Sequence, residues 1–521
     1  MEMDILYGSI TVSCCVILLL WVWREFNKWW LTPKKLEKKL REQGFNGNSY
    51  QVFFGDQRWS YRMIKEALSK PIHISDDIEK RVIPHILKTV DTYGKNSFMW
   101  VGRIPRVHIT EPELVREVLT KYYKFQKNHK ALDPITELLL AGMGSLEGEK
   151  WAKHRKIINP AFHMEKLKLM LPAFHSSCID IMHKWEKMVS SGGGSCEVDV
   201  WPDLEHLAGD VISRTLFGSS YDEGKNILHQ MKELAELAIQ VIQLVYIPGR
   251  RFFPTKIHKR MKQIDKEVRA LLTGIINKRL KAMKAGEAGS DDLLGMLLDT
   301  NLKEIEEQGN VKDGGLTIDE VIGECKLFYF AGQDTTSTLL VWTMFFLSRY
   351  PEWQERAREE VSQVFGNKKI DFDGINRLKI IPMILHEVLR VYPPVVELTK
   401  ETYEETKLGP YTIPAGVQLM VPQAILHHDY EIWGEDAKEF KPERFAEGVS
   451  KATKSQVCFF PFSWGPRMCI GQNFALLESK LALALILQRF SFELSPTYVH
   501  APYTVITLQP QHGAHIILRK L

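Results

Sequence analysis

Cysteine is scarce and irregular in this chain: seven residues in 521, with no Cys-x-x-Cys pair and no regular spacing. Cys14, Cys15, Cys178, Cys196, Cys325, Cys458 and Cys469 therefore do not read as a disulfide framework, and such a scattered set suits a reducing compartment. A surplus of charge of one sign is missing too. The 68 basic and 64 acidic residues leave a formal net charge of +4. That balance gives no footing for a nucleic acid partner and confines any electrostatic docking surface to local patches. Repeats are absent, and no Gly-x-Gly-x-x-Gly follows a strand-like run, so no built-in dinucleotide site is expected.

One long apolar run lies near the N-terminus, from about Ile5 to Trp23, and as a helix it would span roughly 28 Å, enough for a bilayer core. Glu2 and Asp4 precede it and Arg24, Lys28, Lys34 and Lys35 follow, so the positive-inside rule places the remainder in the cytosol. Trp21, Trp23, Trp29 and Trp30 suit the membrane interface. A cleaved signal peptide is the alternative, but the basic residues follow the run and no small-residue cleavage site is evident. The expected organisation is a membrane anchor over residues 1–30, a basic linker ending near Lys39, and one large domain over 31–521.

At 45% hydrophobic and 25% charged residues, the chain has ample material for one large core. Strand-like runs occur at Ser97–Gly102 and Arg106–Thr110, and helical periodicity then dominates to about Arg390. The class is mainly α with small β-sheets. Gly192–Gly194 and the polar stretch Gly286–Gly315 read as exposed loops. The longest helix is expected to start at the capping box Thr317-Ile318-Asp319-Glu320 and to end near Arg349, before Pro351. It is apolar nearly all round and should be buried. Its middle, Ala331-Gly332-Gln333-Asp334-Thr335-Thr336-Ser337-Thr338, sets glycine, an acid and hydroxyls in a core, and local rules that fail in a core often mark a site.

The most informative stretch is Phe462-Ser463-Trp464-Gly465-Pro466-Arg467-Met468-Cys469-Ile470-Gly471. Phe462 can wall a ligand, Gly465 and Gly471 allow tight turns and close approach, and Arg467 can neutralise a carboxylate. Amides aimed at the Cys469 sulfur, together with the positive end of the helix starting near Gln472, favour thiolate over thiol. A lone buried cysteine is ordinarily a small hydrophobe. The whole pattern F-x-x-G-x-R-x-C-x-G, however, resembles the haem-binding loop of the cytochromes P-450.

That resemblance runs from the anchor to Leu521 and organises the other motifs. It implies a triangular helical domain with an N-terminal transmembrane helix, haem b with Cys469 as axial iron ligand, and dioxygen as co-substrate. A-G-x-D-T-T resembles the family's oxygen-activating segment and gives Asp334 and Thr335 the proton-relay role; Thr335 can also bond a carbonyl one turn back and open the helix. The alternative there is a kink with self-satisfied hydroxyls. Ala331 and Gly332 would let haem and substrate approach. Trp151 and Arg155, on one helical face, match haem-carboxylate contacts, with Arg467 and His154 as candidates to assist; a solvated basic face is the alternative. Lys400 stands where the family usually has arginine, a point charge without the fork. Glu387, Arg390 and Arg444 match a fold-holding triad. Asn159–His163 and Leu508–Gly513 look like the plant seventy-two clan, the group of secologanin synthase and triterpenoid oxidases.

The implied activity is an NADPH- and O2-dependent mono-oxygenase of the endoplasmic reticulum membrane, single-pass with its catalytic domain cytosolic, fed by NADPH-cytochrome P-450 reductase. Lys153, Lys156, Lys451 and Lys454 are candidates for the reductase dock. The implied substrate is a hydrophobic terpenoid drawn from membrane lipid past Ile227–Phe253, an oleanane-type triterpenoid first, with iridoid, gibberellin or brassinosteroid skeletons behind. An isomerase or dehydratase on the same fold, and a non-catalytic haem carrier, are the rivals. Glu397, among Pro393-Pro394-Val395-Val396 and Leu398, is unexpected beside a pocket and reads as either a substrate contact or a solvent-facing strand edge.

Overall fold

The computed structural model describes residues 2–127, 138, 142–218, 221–243, 255–286, 292–309, 314–366, 368–453 and 456–521. The first helix, Glu2–Phe26, is apolar, and from Ser9 on it is exposed almost throughout and begins the described span that is long and apolar enough to cross a membrane. It does not pass into an irregular linker. A π-helical turn, Asn27–Leu31, leads into the helix Thr32–Glu42, because Pro33 occupies a first-turn position where a missing N–H is harmless and Glu37 pairs with Lys34 at 2.8 Å and Arg41 at 3.0 Å. Trp29 already belongs to the folded body: Tyr50 Oη donates to its carbonyl at 2.8 Å, and its ring lies 5.3 Å from that of Phe53.

A six-stranded mixed sheet packs to one side of the helical body, with Ile104–His108 parallel to Gln418–Val421, which in turn runs antiparallel to Leu398–Thr402. The anticipated strands are present as Ser97–Val101 and Ile104–His108. Gly286–Gly315 is not a loop throughout. It contains the helix Leu293–Gln308, capped where Asp292 accepts from Gly295 N–H, with Leu293, Leu294, Met296, Leu297 and Leu298 buried. Flanking glycines and polar residues hide this apolar face from a composition reading.

Ile318–Arg349 forms the central helix, its capping box complete. It packs most extensively against Trp201–Phe217, and the main core gathers around the two. Glu387 and Arg390, both fully buried, pair at 2.7 and 2.8 Å, and Arg444 approaches Glu387 at 3.5 Å. Arg390 also donates to the carbonyls of His427, Ala437 and Glu439. The three residues are therefore a structural tie, as expected.

Deleting residues 1–23 should abolish membrane retention and leave haem incorporation intact. Deletion through Trp30 removes the acceptor of Tyr50 as well and should lower the melting midpoint relative to the shorter deletion by roughly 1–2 °C; membrane flotation, the reduced carbon monoxide spectrum and calorimetry of both proteins check this.

Candidate active site

Before the helix Gln472–Arg489 the chain turns tightly: Ser463 N–H donates to Phe460 O at 2.8 Å, Met468 N–H to Gly465 O at 3.0 Å, and Cys469 N–H to Phe462 O at 2.8 Å. Gly465 has φ +73°, and a Cβ there would meet Leu119 O at 2.9 Å, so a side chain is barred on both counts. Gly471 needs a different account. Its φ is −84°, open to any residue, and a Cβ would sit in ordinary contact, 3.9 Å from Cys469 Sγ. Gly471 thus keeps the sulfur's flank bare, and backbone freedom plays no part.

Burial pushes the Cys469 thiol up, while N–H groups of Gly471 and Gln472 and the charges of Arg155 and Lys127 pull it down without prevailing. The residue still keeps accessible surface. A metal cation meeting the sulfur there would favour the thiolate outright.

Around the sulfur the positive charge is in excess. Arg155 Nη1 donates to Met468 O at 2.9 Å and so braces the loop. Arg467 donates from Nη2 to Leu146 O at 2.7 Å and to Glu147, and its guanidinium lies 4.5 Å over the Trp151 ring; its Nε and Nη1 are buried without a hydrogen-bond partner. Lys127 is driven down to about 7, by burial first and then by the charges of Arg467 and Lys400. Lys400, buried, is lowered to about 8 by burial and Arg467. Glu147 is the carboxylate that acts on both lysines. Such a cradle is electrostatically incomplete and fits a ligand carrying two carboxylates.

Phe330 to Thr335 keep accessible surface on a helix that is otherwise mostly buried. Thr335 Oγ1 donates to Ala331 O at 2.7 Å as anticipated, but the helix runs through without opening. Gly332 does not face an open space either: a Cβ there would meet Ile212 at 3.2 Å, so its smallness serves the helix crossing. Asp334 is engaged by a different element from Thr335. Its carboxylate accepts from Thr507 Oγ1 and Gln509 Nε2, both at 2.8 Å, on the hairpin formed by Pro502–Thr504 and Leu508–Pro510. A cavity of about 490 Å³ adjoins it, lined in part by Glu205, Lys232, Gln333 and Tyr503.

His154 is not part of the cradle. It is buried against Glu324 of the central helix, with Nδ1 2.6 Å from Oε1. Lys156 is engaged by Glu304 at 2.7 Å, which weakens its claim to a docking surface, and Lys454 lies outside the described residues, as do 244–254 of the expected entrance region. Glu397 stands just before the strand Leu398–Thr402, partly open to solvent and 3.7 Å from Arg106.

Across residues 79–516 the chain matches the family model described as cytochrome P450. The chain belongs to the cytochrome P450 family. It is 68% identical to 7-deoxyloganic acid hydroxylase of Catharanthus roseus, covering all of both chains, and 57% identical to secologanin synthase 2 of the same plant, covering all of this chain and 99% of that one. It is 59% identical, end to end, to cytochrome P450 CYP72A219 of Panax ginseng. Among solved structures, retinoic acid bound cyanobacterial CYP120A1 shares the fold, with a TM-score of 0.70 at 23% identity over 84% of this chain and 94% of that one.

This P450 is a mono-oxygenase that uses haem-thiolate iron and dioxygen and draws electrons from a redox partner. The donor set fits haem: one accessible cysteine with two amides aimed at its sulfur, and a buried cationic cradle with unsatisfied Arg467 donors. Lys127 escaped the sequence reading because no motif marks it, as did Thr507 and Gln509, whose link to Asp334 exists only in three dimensions.

Burial raises the Asp334 carboxyl from 3.8 to about 6. Such an acid stabilises the fold fully below its unfolded pKa and loses that contribution as pH rises through the folded one. From pH 4 to pH 7 the wild type should therefore lose up to about 3 kcal/mol relative to Asp334→Asn, at about 1.4 kcal/mol per pKa unit. Denaturant titrations of both proteins across that range test it; a constant gap would show that Asp334 ionises freely.

Proposed function

We propose that this P450 hydroxylates an unactivated C–H bond of a plant terpenoid acid, an iridoid ahead of an oleanane-type triterpenoid. The supporting observation is end-to-end 68% identity to a protein named 7-deoxyloganic acid hydroxylase. From sequence the triterpenoid stood first; that relative moves the iridoid forward within the same terpenoid class. Overall, a C–H bond, dioxygen, NADPH and a proton become an alcohol, water and NADP+.

Cys469 binds iron, and Trp151, Arg155, Lys127, Lys400 and Arg467 hold the haem carboxylates. Haem, when bound, supplies the iron that activates dioxygen. Phe462 stations the loop through its carbonyl, and Gly471 leaves the sulfur accessible. Asp334, whose pKa of about 6 suits proton transfer near neutrality, takes protons from the adjoining cavity. Thr335, its hydroxyl held by Ala331 O, is the alcohol on the accessible stretch. NADPH–cytochrome P450 reductase is the electron donor, docking on a face that includes Lys153 and Lys451, with the anchor in the endoplasmic reticulum and the domain cytosolic.

Cys469→Ala should lose both the 450 nm band of the reduced carbon monoxide complex and all hydroxylation; an unchanged band would refute the ligand assignment. Iridoid acids, triterpenoid acids, diterpenoids, fatty acids and phenolics, offered to the enzyme with a plant reductase, should give type-I spectral shifts and alcohol products for terpenoids alone, strongest with an iridoid acid. Turnover confined to fatty acids or phenolics would reject the substrate class.

A further inference from the structure

Arg106 is a half-buried cation whose pairing with a carboxylate is loose. It lies on the strand Ile104–His108, opposite Gln418 in the parallel pairing, and its Nε donates to Gln418 Oε1 at 3.0 Å. The carboxylate that pairs with it, Glu397, is 3.7 Å from Nη1, well beyond the distance of about 2.8 Å at which a charge-assisted bond closes. His85 and His108 lie near it and supply no negative charge. Burial first, then the charge of Arg106, holds them down at about 4 and about 3, so both are neutral. The guanidinium keeps 18% of its side chain exposed and Glu397 keeps 30%. A desolvated guanidinium left this loosely paired favours any second carboxylate that can reach it.

The chain around Glu397 connects this pair to the reaction site. Pro394 O accepts from Leu508 N–H at 2.9 Å, on the hairpin that holds Asp334, and Val396 O accepts from Ala424 N–H at 3.0 Å. Three residues beyond Glu397, Lys400 enters the cationic cradle beside Cys469. Glu397 therefore sits on a backbone pinned between the acid and the thiolate, with its carboxylate turned to Arg106.

We infer that Arg106 binds the carboxylate of the substrate, with Glu397 as the internal carboxylate that substrate displaces. The pair then sets which acids are accepted and which carbon is presented. This rests on the terpenoid-acid reading above and sharpens it.

The test compares an iridoid acid and a triterpenoid acid with their methyl esters, by type-I spectral titration of the full-length, haem-loaded enzyme. The wild type should bind the preferred acid at least 10-fold more tightly than its ester. Arg106→Gln should erase that preference with the 450 nm band retained, and Glu397→Gln should tighten the acid several-fold and leave the ester unchanged. If Arg106→Gln fails to load haem, the Glu397→Gln comparison decides. Equal binding of acid and ester by the wild type, or an unchanged acid-to-ester ratio in Glu397→Gln, overturns the assignment of Arg106 alone. Silence of every acid and ester in an enzyme with an intact 450 nm band overturns both this inference and the terpenoid-acid reading.

Discussion

The buried pairing of Glu387 with Arg390 is the constraint on which the thiolate loop hangs. Two fully desolvated charges persist only because every remaining donor and acceptor is used: Arg390 spends its other N–H groups on the carbonyls of His427, Ala437 and Glu439, and Lys441 N–H donates to Glu387 at 2.8 Å. Removing one partner of such a pair typically costs about 3–5 kcal/mol. The tie does not end there. His427 Nε2 lies 3.4 Å from Phe460 N, and Phe460 O accepts from Ser463 N–H, so one chain of polar contacts passes from the ion pair to the turn that presents Cys469.

The site itself is balanced between opposed electrostatic demands. The same burial that raises the Cys469 thiol and the Asp334 carboxyl lowers Lys127 and Lys400. Each group is pushed toward its neutral form, and each is met by groups that favour the charged one: amides at the sulfur, Thr507 and Gln509 at the acid, Glu147 at the lysines. A haem with two carboxylates and a metal centre answers both the cationic cradle and the sulfur.

What the sequence reveals and what it conceals divide along the range of the interactions. The central helix was legible to its boundaries because its signals are local: the Thr317–Glu320 box at one end and Pro351 just past the other. The tight loop that carries Gly465, Arg467 and Cys469 was legible for the same reason, its turn signals lying within one short stretch. The helix Leu293–Gln308 was masked by polar, glycine-bearing flanks. Gly332 was misplaced because the direction of a missing side chain depends on the phase of the helix against Trp201–Phe217. The donors to Asp334 lie 173 and 175 residues away in sequence, a distance no local pattern encodes, and Lys127 joins the cradle only through the fold.

That separation has a temporal side. The hairpin that holds Asp334 is synthesised 175 residues after it, which at roughly 5–20 residues per second leaves about 10–35 s between the two. Trp201–Phe217, against which the central helix packs, has been made by then. A nascent chain can thus bury the helix on its older neighbours while the acid still lacks its donors. Vectorial synthesis therefore makes the apolar scaffold of this centre first and the hairpin that binds Asp334 last, on a polypeptide whose apolar N-terminal helix emerged before either.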